Sequence, residues 1–269
     1  MKPCLLALDL DGTACNDQSR LGEKTKQALL AARSRGHVVV FASGRRDIDM
    51  VSMGDSHRCA DYLVLNNGGK LIRTSDGAVL FNELIDAGAA CSLITHCLEH
   101  NYLLHVVSGM YWAVNRWDEG LQKYVEELGA APVMYHSLDE VPFDHVEGFM
   151  ATADMGPICR FIDEQELPLL HVHSEPTCTD IMREGITKWR GLSRLAKLLD
   201  IPRERVIAAG DYNNDLDMIR RAGIGVAVQN ALPVVKAVAD YVTPHDNNHD
   251  AVADIVEHFL LEPGCGNAL

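Results

Sequence analysis

The chain contains no apolar run long enough to cross a bilayer. Its first apolar stretch, Cys4 to Leu8, is too short for a signal-peptide core and meets an acid at Asp9, so a cytoplasmic location is expected. Positive charge is scarce: 24 Lys and Arg stand against 38 Asp and Glu, a formal charge of −14. That balance argues against a sequence-independent grip on nucleic acid or on an anionic membrane surface. A small anionic substrate is still open, because one metal ion or one Lys can reverse the sign locally. The eight cysteines include no Cys-x-x-Cys pair, so neither a zinc site nor a disulfide framework is signalled and reduced, mostly buried thiols are expected. No internal repeat and no low-complexity linker interrupts the 269 residues, a length that holds one large domain or two of ordinary size. Two are expected, and nothing in the pattern speaks to oligomeric state.

What the chain does have is βα alternation towards both ends. Cys4–Leu8 and Val38–Ala42 read as buried strands around a helix over Thr25–Arg35 that stops at Gly36, a residue suited to the left-handed position beyond a helix. Such a βαβ unit implies a parallel sheet. Tyr62–Leu65 is a further strand, and Asn66-Asn67-Gly68-Gly69 is a turn from which Lys70–Arg73 returns. From Glu83 the texture changes. A helix over Glu83–Asn101, a hairpin of Tyr102–Val107 and Met110–Asn115, and a helix capped by Asp118 and running to Leu128 come first. Strands over Val146–Thr152, Leu169–His173 and Thr177–Met182 follow, with a helix over Pro157–Gln165. Alternation resumes after Gly185, with helices over Lys188–Leu199, Asn214–Ala222, Leu232–Ala239 and Ala251–Leu261 and strands over Arg205–Ala209 and Gly225–Val228. The expected fold class is α/β: a Rossmann-like parallel-sheet core, residues 1–82 and 184–269, with an inserted α+β cap domain, residues 83–183.

Three predicted core strands run into polar clusters: Asp9-Leu10-Asp11-Gly12-Thr13, Ser43-Gly44-Arg45, and Gly210-Asp211-Tyr212-Asn213-Asn214-Asp215. Residues two apart on an extended segment point the same way, so Asp9 and Asp11 face one site while Leu10 turns into the core. Taken alone they are two loop acids; close together they repel, and a cation or a proton reconciles them. In an open parallel sheet, sites form beyond the carboxyl ends of the strands, so the three loops should converge. Lys188, at the start of a helix, adds a cation where the helix dipole mildly disfavours one. Carboxylates for a divalent ion, a nucleophile, a hydroxyl and glycine amides for phosphate oxygens, and a Lys make a set of parts for phosphoryl transfer.

In this order the motifs resemble the haloacid dehalogenase superfamily. The mid-chain insert and the ending Gly223-Ile224-Gly225-Val226-Ala227-Val228, Asn230-Ala231, Val235-Lys236 and Ala239-Asp240-Tyr241-Val242-Thr243 resemble its Cof-type (subfamily IIB) phosphatases. The resemblance covers nearly the whole core and is weak in the insert. It implies Asp9 as the nucleophile that forms an aspartyl-phosphate, and Asp11 as the group that protonates the leaving oxygen and then deprotonates the attacking water. It implies Mg²⁺ held by the Asp9 carboxylate, the Asp11 carbonyl and Asp211, with Ser43, Lys188, Asn214 and the amides of Gly12 and Gly44 on phosphate oxygens. Asp215 would support the Lys and the metal, Asn67 would stand close behind the site, and the insert would close over it and choose the substrate.

Lys188-Trp189 stands where the family has Lys-Gly, Tyr212 where small residues are common, and Asp250-Ala251-Val252 where it has acidic-Gly-Val. The bulk of Trp189 and Tyr212 would narrow the site. The expected function is a Mg²⁺-dependent phosphatase of small phosphorylated metabolites such as sugar phosphates. A phosphomutase or phosphotransferase using the same intermediate, and a phospho-Asp signalling or binding module without turnover, are the alternatives. His171 and His173, which share a strand face, are read as partly exposed strand residues and not as ligands.

Overall fold

The computed structural model describes residues 2–261. The chain divides into two compact units: one holds the chain up to Ser43, Met53–Phe81 and the chain from Thr187 onward, the other Gly44–Ser52 and Asn82–Ile186. The first is α/β. Its strands are β1 (Leu5–Leu8), β2 (Val38–Ala42), β3 (Tyr62–Leu65), β4 (Lys70–Arg73), β5 (Ala78–Asn82), β6 (Val206–Gly210), β7 (Ile224–Ala227) and β8 (Tyr241–Val242). They form one Rossmann-like sheet in the order β8-β7-β6-β1-β2-β3-β4-β5. Six of them run parallel, and β4 returns antiparallel to β3.

β1 and β6 are buried along their whole length. That is why they read as unbroken apolar runs, since a central parallel strand has both faces covered. The register sets Leu8 beside Ala209 on one side and Phe41 on the other. The segments after β1, β2 and β6 therefore leave the sheet at one edge, where Asp9, Ser43 and Asp211 stand.

The second unit is α+β. Its sheet runs in the order Leu169–Glu175, Cys178–Arg183, Gly148–Ala151, His105–Ser108, Tyr111–Val114, Val133–Met134, antiparallel except for the last pair. Helices Ala87–His100 and Met155–Glu164 share a core with it through Leu93, Ile94, Cys97, Phe149, Ile158 and Ile162. A smaller cluster joins Ile48 to Leu103, Val107, Trp112, Val114 and Leu121. Ile48 lies on a short helix, Asp47–Met50, that the sequence pattern does not announce.

Several boundaries move for identifiable reasons. The helix expected from Glu83 starts at Ala87 because Asp86 caps it, accepting from the Ala89 amide at 3.0 Å. The helix expected over Asn214–Ala222 begins as a 3₁₀ turn, Asn213–Asp215, and is α-helical only over Leu216–Arg221. There the Asp215 carboxylate is drawn back to the Asp211 and Tyr212 amides. β8 and Val133–Met134 are two-residue edge strands, too short to carry a period. The last helix turns π-helical over Glu257–Leu261. Seven cysteines are free among the described residues, and Cys265 lies outside them. No helix among the described residues is long and apolar enough to cross a membrane.

Candidate active site

Asp9 follows the last residue of β1 directly and donates its amide to the Ala209 carbonyl of β6 at 3.0 Å, so its carboxylate is set by two central strands. It is buried, as is Leu10, whereas Asp11 is exposed. The pair is thus unequal: one acid sealed in, the other at the surface. Lys188 starts the helix Lys188–Leu198, which Thr187 caps by accepting from the Arg190 amide at 3.2 Å. A cation at that helix end needs compensation, and it has it: Nζ lies 2.5 Å from Asp9 Oδ1 and 2.7 Å from Asp215 Oδ1, with both side chains of the Lys188–Asp215 pair fully buried.

A glycine lets the helix start sit where it does. Gly68 has φ +106°, and a Cβ there would overlap the Thr187 carbonyl. The turn Asn66–Gly68 therefore presses its backbone against the residue that precedes Lys188. Its neighbour Asn67 donates its amide to the Ser43 carbonyl at 3.0 Å and accepts from Asn214 Nδ2 at 3.0 Å. One turn so ties two of the residues predicted to hold phosphate. Ser43 itself is buried and donates its amide to Val64.

Asp215 is fully committed. One oxygen faces Lys188 and the other accepts from the Asp211 and Tyr212 amides at 2.9 and 3.0 Å. Asp211 accepts from Thr13 Oγ1 at 2.8 Å, a contact that the sequence reading did not name although Thr13 lies within the motif. Oxygens of Asp9, Asp211 and Asp215 come within 4.8 Å of one another. Among the described residues this is the one such acidic cluster, and no histidine enters it.

The electrostatics follow from three carboxylates around one ammonium. Burial lifts the Asp9 pKa well above its ordinary value; Lys188 pulls it back, and Asp215, Asp211 and Asp11 push it further up. Burial and then the Asp215 charge raise Asp211 to about 6. Burial opposes the charge of Lys188, but Asp215 and Asp9 outweigh it and its pKa rises. The cluster is short of positive charge. Three hard oxygen donors around a charge deficit fit a divalent ion of the Mg²⁺ kind. With Asp215 engaged on both oxygens, Asp9 and Asp211 are the carboxylates left to hold it.

Of the predicted residues, the structure brings Asp9, Lys188, Asp211 and Asp215 into contact, with Ser43 and Asn214 linked through Asn67. Gly12 packs on Asp211: it has φ +79°, and a Cβ there would overlap the Asp211 carboxylate. Gly44 opens the segment that groups with the second unit. Trp189 packs against the core cluster of the first unit, and Tyr212 is half-buried.

A parallel sheet whose strand ends bring a buried Asp and a second acidic loop to a buried Lys at a helix start has the arrangement of a hydrolase of the haloacid dehalogenase type. Residues 6–256 match the haloacid dehalogenase-like hydrolases, and the chain belongs to that family. It is 26% identical to the 5-amino-6-(5-phospho-D-ribitylamino)uracil phosphatase YcsE of Bacillus subtilis, with 96% of each chain covered. It is also 26% identical to the HMP-PP phosphatase of Cronobacter sakazakii, again over 96% of each chain. A crystal structure of a haloacid dehalogenase-like hydrolase from Bacteroides thetaiotaomicron has a TM-score of 0.84 at 26% identity, covering 96% of this chain and 99% of that one.

Proposed function

We propose that the protein is a Mg²⁺-dependent phosphatase of small phosphorylated metabolites that works through an aspartyl-phosphate on Asp9. The observation that carries this reading is the Lys188 ammonium at 2.5 Å from Asp9 inside a cluster with too few cations for its carboxylates. A phosphoryl group brings more negative charge, so such a site works only if a further cation enters with it. When bound, a divalent ion held by Asp9 and Asp211 supplies positive charge to the phosphoryl oxygens.

The rest is the work of this chain. Asp9 attacks phosphorus with one carboxylate oxygen, forming the acyl-phosphate bond as the ester P–O bond breaks. Lys188, Ser43, Asn214 and the amide of Gly12 hold the equatorial oxygens, over which the transition state spreads its charge. Asp11, exposed where Asp9 is buried, passes a proton to the departing alkoxide and takes one from the water that attacks the phosphoryl group. Asp215 holds Lys188 in place. Two relatives at the same identity act on two differently named substrates, so substrate choice rests on residues that vary among them.

Asp9→Asn, assayed with p-nitrophenyl phosphate and Mg²⁺, is expected to lose at least about 1,000-fold in kcat, the scale for removing a nucleophile. Near-normal turnover by pure mutant protein would remove Asp9 from that role.

A further inference from the structure

We propose that Asn230 and Asn247 position the cation-facing carboxylate of Asp211 by holding the loop that follows β1. This rests on the metal-dependent reading above. Asn230 Nδ2 donates to the Gly12 carbonyl at 2.7 Å, and its Oδ1 accepts from the Asn247 amide at 3.1 Å. Asn247 is buried, and its Nδ2 donates to the Cys15 carbonyl and to Asp17 Oδ1, both at 3.1 Å. The Asp17 amide closes the set, donating to Asn248 Oδ1 at 3.0 Å. Two short segments beyond β7 and β8 thereby grip residues 12–17 at three points.

The internal bonds of the loop are those of tight turns: Ala14 to the Asp9 carbonyl at 3.2 Å, and Thr13 and Cys15 to the Leu10 carbonyl at 3.3 and 2.8 Å. Of the Gly12–Thr13 peptide they hold only the N–H side, through the long Thr13 to Leu10 bond, and leave the carbonyl side to Asn230. That peptide matters because Gly12 lies against the Asp211 carboxylate and Thr13 Oγ1 donates to it at 2.8 Å. Asn230 holds the carbonyl of the same peptide. A shift of the Gly12–Thr13 segment would carry the Thr13 hydroxyl with it, and Asp211 would lose the contact that orients it.

The residue type is informative. Position 230 must donate to a carbonyl and accept from an amide at once, and an uncharged carboxamide does both. A carboxylate keeps the second bond and turns the first into a clash of two acceptors. Both asparagines act through the loop, so they are positioning residues.

The test is the Mg²⁺ dependence of thermal unfolding in the absence of substrate, for wild type, Asn230→Asp and Asn247→Ala, with EDTA-treated protein as reference. Losing one orienting hydrogen bond should raise the Mg²⁺ concentration at half-maximal stabilisation about 10-fold in Asn230→Asp, with a shift in the same direction for Asn247→Ala. The Mg²⁺ concentration for half-maximal hydrolysis should move in parallel, while KM for p-nitrophenyl phosphate at saturating Mg²⁺ stays at the wild-type value. A purely structural role would lower the unfolding temperature in EDTA and leave the Mg²⁺ midpoint unchanged, and that result overturns the inference. A wild-type protein that Mg²⁺ fails to stabilise overturns the metal reading and this one with it. A wild-type response that both variants share overturns this one alone.

Discussion

Lys188 in the first unit and Arg46 in the second are both sealed from water, but they keep different company. Arg46 meets the Asp49 carboxylate through Nε and Nη2 at 2.7 and 2.6 Å, donates to the Tyr124 hydroxyl, and lies 5.2 Å from the Trp112 ring centre. Burial opposes its charge and the bond to Asp49 more than restores it; burial likewise pushes Asp49 up and the Arg46 bonds bring it below its ordinary value. One charge answers one charge, and both partners are content to stay ionised. Around Lys188 the count is three carboxylates to one ammonium, and Asp9 and Asp211 are both displaced upward. A buried pair that balances is a joint; a buried cluster that does not balance favours taking up a cation or a proton. Arg46 serves as a joint in that sense, fastening the segment Gly44–Ser52 to the helix Glu119–Leu128 of its own unit.

If the contrast is real, the two cations should fail differently. Lys188→Met should reduce kcat/KM by about 100- to 1,000-fold, the range for losing one group that stabilises transition-state charge, and should also destabilise the first unit, because Asp9 and Asp215 lose their buried ammonium. Hydrolysis of p-nitrophenyl phosphate with circular dichroism on the same sample reads both. Asp49→Asn should act on stability and not on the chemistry. It strips Arg46 of its charge partner and should cost the second unit about 3–5 kcal/mol, measured by urea unfolding followed by tryptophan emission. A mutant of wild-type stability would make the Arg46 cluster dispensable.

Acid sharpens the contrast from the second unit. His105 is buried with Nδ1 accepting from Trp112 Nε1 at 3.1 Å and Nε2 facing Thr152 Oγ1 at 3.1 Å. Burial, with Arg46 nearby, depresses its pKa to about 3 from 6.5. A histidine held neutral in the fold binds its proton more readily when unfolded, so stability is full above 6.5 and falls as pH drops towards 3. Between pH 6.5 and 5 the loss should be about 1.6 kcal/mol, the slope approaching 1.36 kcal/mol per pH unit below 6.5. Asp49, depressed by Arg46, adds to the loss in the same direction at lower pH. Urea unfolding at several pH values tests this, and His105→Gln should flatten the slope.

Much of this architecture is legible in the chain before any coordinates. The strands β1, β2 and β6 are legible because a central parallel strand must be apolar on both faces, and the site loops because they follow those strands directly. Lys188 is legible by its oddity at a helix start. The Arg46–Asp49–Tyr124 cluster is not, because residues 46 and 124 meet only through tertiary packing and each alone looks like a surface residue. Thr13, Asn230 and Asn247 escape for a related reason: an uncharged side chain that orients another leaves no periodic or electrostatic mark. β8 escapes because two residues cannot express a period.

The sign of one stability change tests the charge imbalance most directly. Asp211→Asn removes one of the three carboxylates and keeps an oxygen for the Thr13 hydroxyl. In EDTA at neutral pH its unfolding free energy should exceed that of wild type by about 1–2 kcal/mol, as expected for relief of like-charge repulsion at a partly buried site. Its hydrolytic activity should be lost. An Asp211→Asn protein less stable than wild type without metal would mean that the cluster is already balanced, and the account of the site would be wrong.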